Sequence, residues 1–309
     1  MTAAIRMLDY GVSTDFTDEY IRIGETTTIK CLKKFVKAVV SIFSEEYLRS
    51  PNNNDIARLL AVGQHRGFPG MLGSIDCMHW KWKNCPSKWK GQYIGHTLDP
   101  TIILEIVVLY DLWIWHAFFE LPRSHNDINV LEWSSVFSEL AEGRAPLVNY
   151  SINGNNYSMG YYLVDGIYPS WAIFVKTIPA PQNRKIQHFA SAQEAVRKDV
   201  ERSFGVLQAR FAIVCGPARF SHLETFKDIM MACIILHNMI VEDERHTYLG
   251  ANDFDYDQIN NNGPKPVSHN PTCNLMQFIK RDNSIRDRRI HSQLQADLVK
   301  HLWQLQGQS

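Results

Sequence analysis

The chain has 309 residues, of which 45% are hydrophobic, 11% aromatic and 21% charged. That is the profile of a folded protein with a sizeable core, and it excludes disordered, collagenous and low-complexity classes. Lysine plus arginine and aspartate plus glutamate both number 32, so the formal net charge is zero, which excludes a globally basic grip on nucleic acid but not a local basic channel.

No apolar run reaches the roughly 18 residues of a membrane span, and no basic-then-apolar leader opens the chain. Six scattered cysteines without a CxxC pair suit a reducing compartment, so an intracellular, soluble protein is expected. Residues 1 to 60 read mainly as helix, with 8 basic and 8 acidic side chains. Ile29, Leu32, Val36, Val39 and Phe43 recur at spacings of three and four between Thr28 and Arg49. Ser50 to Asn54 breaks that helix, a short one follows from Asp55 to Val62, and Gly63 to Gly70 is a turn-rich connector.

Strands follow. Gly73 to Lys83 ends in alternating tryptophan and lysine, as a half-buried strand does. Thr101 to Tyr110 and Trp113 to Phe119 are two more β-rich runs with Asp111-Leu112 as a hairpin turn between them. A helix is predicted over Asn126 to Glu142, stopped by Gly143. Tyr161 to Val164 is a short buried strand. Ser191 with Glu194, and Ser221 with Glu224, form capping boxes before two further helices. Residues 243 to 283 read as a polar loop or linker, and Ser284 to Gln304 as a last amphipathic helix.

Three acids stand out in this mixed α/β order. Asp76 lies inside an apolar strand, where a charge is costly unless paired or bound to a cation. Asp165 ends a buried strand just before Gly166. Glu201 lies about 100° around its helix from the core residue Val200. Three convergent oxygen ligands suit magnesium or manganese and not zinc. Two such ions about 4 Å apart activate an attacking water or 3′-hydroxyl and stabilise a leaving phosphodiester oxygen. The plain alternative is three ordinary acids at a strand, a turn and a helix surface.

Four blocks carry a resemblance: residues 73 to 80 (GSIDCMHW), 121 to 131 (LPRSHNDINVL), 162 to 169 (YLVDGIYP) and 197 to 207 (RKDVERSFGVL). In this order they resemble the plant PIF/Harbinger transposase family, with its Harbinger-derived nuclease and antagonist-of-heterochromatin-like relatives, over about residues 1 to 245. The resemblance implies a ribonuclease-H-like DDE nuclease, a mixed sheet flanked by helices, that cuts DNA with two magnesium or manganese ions. It places the catalytic and metal-holding acids at Asp76, Asp165 and Glu201. Asp127 is the rival second ligand, its plain reading being a helix cap. A DNA substrate places the protein in the nucleus, and the resemblance implies a Myb-like partner protein and leaves a homo-oligomer open. Together with the sequence pattern, the resemblance divides the chain into an N-terminal helical region (1–70), the nuclease domain (71–245), a polar linker (246–283) and a C-terminal helical tail (284–309).

The sequence departs from the family where glycines usually occupy the positions of Glu120 and Arg123, and members tend to be longer at the N-terminus. These departures support a second class of function, a domesticated, catalytically silent chromatin-associated or protein-interaction factor. For DNA contact the candidates are Lys81, Lys83, Lys88 and Lys90, interleaved with tryptophans expected in the core, and Arg197 and Arg202 on the helix of Glu201. Residues 184 to 227 hold eight basic side chains against four acids. Asp199 reads as a solvated partner of Arg202 or Arg197. Cys77, His79, Cys85 and His96 fit no zinc-finger spacing, and His237 reads as a core histidine.

Overall fold

The computed structural model describes residues 1–11, 22–94, 99–122, 134–144, 148–249 and 275–307. Three helices come first: α1 (Thr2–Tyr10), α2 (Glu25–Tyr47) and α3 (Asn53–His65). The asparagines that end α2 also start α3. Asn52 accepts from the Asp55 amide at 3.0 Å while Asp55 accepts from the Asn52 amide at 2.9 Å, a reciprocal capping box.

The long strand β1 (Met71–Lys81) then enters, followed by α4 (Ser87–Tyr93), β2 (Thr101–Val108) and β3 (Ile114–Pro122). Next come α5 (Ser135–Glu142), a small hairpin of β4 (Tyr150–Ile152) and β5 (Asn155–Tyr157), and the short strands β6 (Tyr161–Val164) and β7 (Phe174–Lys176). The chain ends in helices: α6 (Arg184–Arg210), α7 (Ala212–Cys215), α8 (Leu223–Leu249), α9 (Leu275–Ile285) and α10 (Arg288–Gln306).

The five-stranded sheet has the order β3-β2-β1-β6-β7. The β1–β2 and β2–β3 pairs are antiparallel, whereas β6 runs parallel to β1 and β7 parallel to β6. With helices on both faces this is the mixed α/β, ribonuclease-H-like architecture. All eight residues of β2 are buried, as a central strand covered on both sides requires.

On one face, Trp80, Leu104, Ile106 and Val108 pack against Leu32, Val36 and Val39 of α2, Val200 and Leu207 of α6, and Ile229 and Cys233 of α8. On the other, Ile75, Val107, Val164 and Phe174 meet Phe137 and Ala141 of α5. Trp80 and Trp82 are core residues whose indole N–H groups donate to the Gly216 and Phe220 carbonyls at 2.7 and 2.9 Å. His237 is likewise a satisfied core residue, with its Nε2 2.9 Å from the Leu112 carbonyl.

Several boundaries differ from the sequence reading. Ser191 does not start a helix: α6 begins eight residues earlier in the numbering, capped by Asn183, whose side chain accepts from the Ile186 amide at 2.9 Å. Phe189, fully buried, extends the apolar stripe upstream of Ser191. The segment read as linker contains the end of α8 and most of α9, while residues 250–274 lie outside the described residues. The C-terminal helix is present as expected, and it packs onto the rest of the fold. Leu294, Leu298 and Leu302 of α10 are buried in a core shared with Leu163, Val175 and Phe189. Of the helix predicted from Asn126, only Ser135–Glu142 is described, and Gly143 ends it in the left-handed conformation at φ 75°.

Candidate active site

The pairing of β1 with β6 sets which side chains meet. Met71 lies opposite Tyr161 and Gly73 opposite Tyr162, so β1 carries one residue more than its partner across this step, a bulge. Gly73 fits it with φ 151°, where an added Cβ would stand 2.8 Å from the Val108 carbonyl oxygen. Beyond the bulge Ser74 pairs with Leu163. Continuing that register brings Asp76 beside Asp165. Without the bulge Ile75 would hold that place, because a one-residue slip exchanges the two faces of a strand.

Strand β6 stops at Val164 while β1 runs on, so Asp165 sits where the sheet opens. Its Oδ1 accepts from the Ile167 amide at 2.8 Å, turning the chain away. Buried Tyr168 anchors this turn beneath β1, its hydroxyl 3.5 Å from the Cys77 sulfur.

Helix α6 is fastened across this strand end by Gln193, a residue that the sequence did not single out. Its buried side chain donates to the Val164 carbonyl at 3.0 Å and accepts from the Thr177 hydroxyl at 2.9 Å. One turn later Arg197 reaches Asp76, with Nη1 to Oδ2 at 3.3 Å, and after another turn Nη2 of the same arginine meets Glu201 Oε1 at 2.6 Å. Arg197 therefore stands between two of the three acids. The R-x-x-x-E spacing was the signal available in the sequence, since residues four apart share a helix face.

The Asp76 carboxyl is pushed up to about 6, chiefly by burial. The Cys77 amide and the Arg197 guanidinium pull it back, and the charges of Asp165 and Glu201 push it further up. Thus Asp76 feels both of the other acids predicted from the sequence. The donor chemistry fits a hard cation, three carboxylates with no nitrogen or sulfur ligand among them. Among the described residues no group of three or more His, Cys, Asp or Glu side chains is arranged to hold a metal ion.

The other predicted residues fall as follows. Lys83, Lys88 and Lys90 are exposed, and Lys81 pairs with Asp99 at 3.1 Å at the surface. Lys81 lies ~17 Å along β1 from Asp76, taking 3.3 Å per residue. Arg202 is exposed at the surface, where it donates to the Tyr110 carbonyl at 3.0 Å and meets Asp199 at 3.3 Å. Asp199 is not solvated as expected. It is 5% exposed and also pairs with Arg66 from the end of α3. Asp127, Arg123 and His96 lie outside the described residues. Cys85 points its sulfur at the Pro86 carbonyl, 3.7 Å away. A further acid escaped the sequence reading: Glu105, fully buried in β2, accepts from the Ser134 hydroxyl at 2.5 Å with His116 Nε2 at 3.6 Å.

Comparisons with known proteins bear on this arrangement. A family model described as plant transposon protein matches residues 45–248. The protein named "Putative nuclease HARBI1" is 21% identical in Rattus norvegicus and 22% in Bos taurus over 240 residues, and 23% in Homo sapiens over 242 residues. Each alignment covers 72% of this chain and 61% of the relative, so the chain spans about three fifths of the length of these curated relatives. No solved structure matches the chain. Among the described residues no helix is long and apolar enough to cross a membrane. The match spans both Asp76 and Glu201 together with the strands and helix that carry them, and the chain belongs to the plant transposon protein family, as its resemblance to the PIF/Harbinger transposases implies.

Proposed function

We propose that this chain is a DNA endonuclease of the transposase type, with Asp76, Asp165 and Glu201 as its catalytic carboxylates. The observation that carries the reading is geometric: the β1–β6 register sets Asp76 beside Asp165 where the sheet opens, and Arg197 links Asp76 to Glu201 on the helix that crosses it. Two magnesium or manganese ions held there would supply charge neutralisation for a phosphodiester and a water of lowered pKa. The chain's own part is to place the acids. The β1 bulge aims Asp76, the Asx turn and Tyr168 hold Asp165, and Gln193 fixes the helix that carries Glu201. Preset geometry of this kind spares the reaction the cost of assembling its groups.

The substrate is DNA. Exposed Lys83, Lys88 and Lys90, with Lys81, give phosphate contacts to one side of the acids, and Arg197 and Arg202 complete a basic rim on α6. A Myb-like partner and self-association belong to the same reading through the family, and a nuclear location through the DNA substrate. Incubation of the full chain with supercoiled plasmid and manganese tests it. Nicking is expected, and Asp165→Asn abolishes it while the melting curve stays cooperative. Undiminished nicking by that variant overturns the assignment.

One observation favours a second reading, a domesticated, catalytically silent chromatin or protein-interaction factor. The guanidinium of Arg197 occupies the space between Asp76 and Glu201 and satisfies both. On that reading Asp165→Asn changes nothing in cells that depend on the protein, and no condition elicits nicking.

A further inference from the structure

Arg197 is only 16% exposed at its side chain, yet each of its two acid contacts is made through a single nitrogen. It meets Asp76 at 3.3 Å and Glu201 at 2.6 Å in this way, instead of pairing with either through the parallel two-bond fork that makes arginine–carboxylate pairs strong. Its Nε is buried with no hydrogen-bond partner among the described residues, which is a cost carried by this position. The pair partner Glu201 is 48% exposed, so the contact opens directly to solvent. Meanwhile Asp76, 24% exposed, is fixed by the strand and by its bond from the Cys77 amide at 2.8 Å.

We propose that Arg197 is a built-in counter-ion that closes the carboxylate site, so that a divalent cation and the Arg197 guanidinium are mutually exclusive occupants of the space between Asp76 and Glu201. This rests on the reading of Asp76, Asp165 and Glu201 as a hard-cation site. In the closed form the arginine neutralises acids that would otherwise repel one another across the end of the sheet. In the open form the side chain swings off α6 toward solvent and frees one oxygen of Asp76 and one of Glu201. Arg197 is thus a positioning residue that sets the threshold for loading the site.

The test is calorimetric titration of manganese into the full chain, its Arg197→Gln, Arg197→Lys and Asp165→Asn variants. Arg197→Gln is expected to bind manganese about tenfold tighter than the wild type, equivalent to ~1.4 kcal/mol. Arg197→Lys keeps the charge but cannot span both acids, and it is expected to fall between the two. Wild-type binding that is lost in Asp165→Asn, with no gain in either Arg197 variant, overturns the counter-ion role and leaves the carboxylate site standing. A gain in Arg197→Gln with none in Arg197→Lys reduces the effect to net charge and also overturns it. No binding by cooperatively melting wild-type and Arg197→Gln proteins overturns the carboxylate reading and this proposal together. Should Arg197→Gln fail to fold, the comparison of Arg197→Lys with the wild type decides.

Discussion

Arg66, just past the end of α3, reaches over to α6 and pairs with Asp199, an acid that is 5% exposed. The same acid meets Arg202 at 3.3 Å, and the Tyr110 ring lies between the two arginines, 5.5 Å from one and 5.9 Å from the other. This cluster ties the helical N-terminal region to the back of the helix that bears Glu201.

Removing one partner of such a pair strands a buried charge. Arg66→Ala is expected to cost about 2–4 kcal/mol, the lower end reflecting what Arg202 still supplies. The midpoint of urea unfolding should fall with an unchanged slope. The joint replacement Arg66→Met with Asp199→Leu should lose less than Arg66→Ala alone. A loss below ~0.5 kcal/mol for Arg66→Ala, the size of an ordinary surface change, would show that the pair is not felt as buried.

Acid stability carries two opposed contributions. Burial holds Asp76 up at about 6, so between pH 4 and 6 the folded chain keeps a proton that the unfolded chain releases, and stability falls as pH rises. Burial pushes His237 down to about 4, so between pH 4 and 6.5 the folded chain has shed a proton that the unfolded chain keeps, and stability rises with pH. In the wild type the two largely offset each other. Asp76→Asn removes the first, worth up to ~3 kcal/mol for a carboxyl moved that far. The variant's stability should therefore climb more steeply than the wild type's between pH 4 and 6.5. Urea midpoints at several pH values measure both slopes, and parallel profiles would count against it.

The β1 bulge makes a third prediction. Gly73→Ala puts a methyl against the Val108 carbonyl at a backbone angle that side chains rarely adopt, at a cost of about 1–3 kcal/mol. If the strand relieves this strain by giving up the bulge, Asp76 turns away from Asp165. Manganese affinity should then drop further than the loss of stability alone would bring about. Wild-type affinity in a destabilised variant would mean that the bulge does not aim the acid.

Four strands, β1, β2, β3 and β6, were legible because each leaves a local mark, alternation in β1 and a buried tetrad before Asp165-Gly166 among them, whereas the three-residue strands β4, β5 and β7 are too short to leave one. What stayed hidden depended on tertiary contacts. Ser191 and Glu194 match a capping box, yet Phe189 and Gln193 are already buried on the same helix, and burial outweighed the local signal. Glu105 sits in a strand buried at every position, where nothing in its neighbours hints at Ser134 and His116 as its partners. The role of Arg197 requires knowing that β1 passes under its face of α6.

The last helix bears on how α6 is held in place. Helix α10 lies against the front half of α6, with Trp303 6.3 Å from the His188 ring and Lys185 over its face at 5.9 Å. It is stapled to the small hairpin by Asp297, which accepts from Asn155 at 2.8 Å and Tyr157 at 2.5 Å. Arg197 stands at the midpoint of α6 and Glu201 one turn beyond it. Residues 288–306 therefore brace the helix of Arg197 and Glu201 although they lie wholly outside the stretch that the family shares.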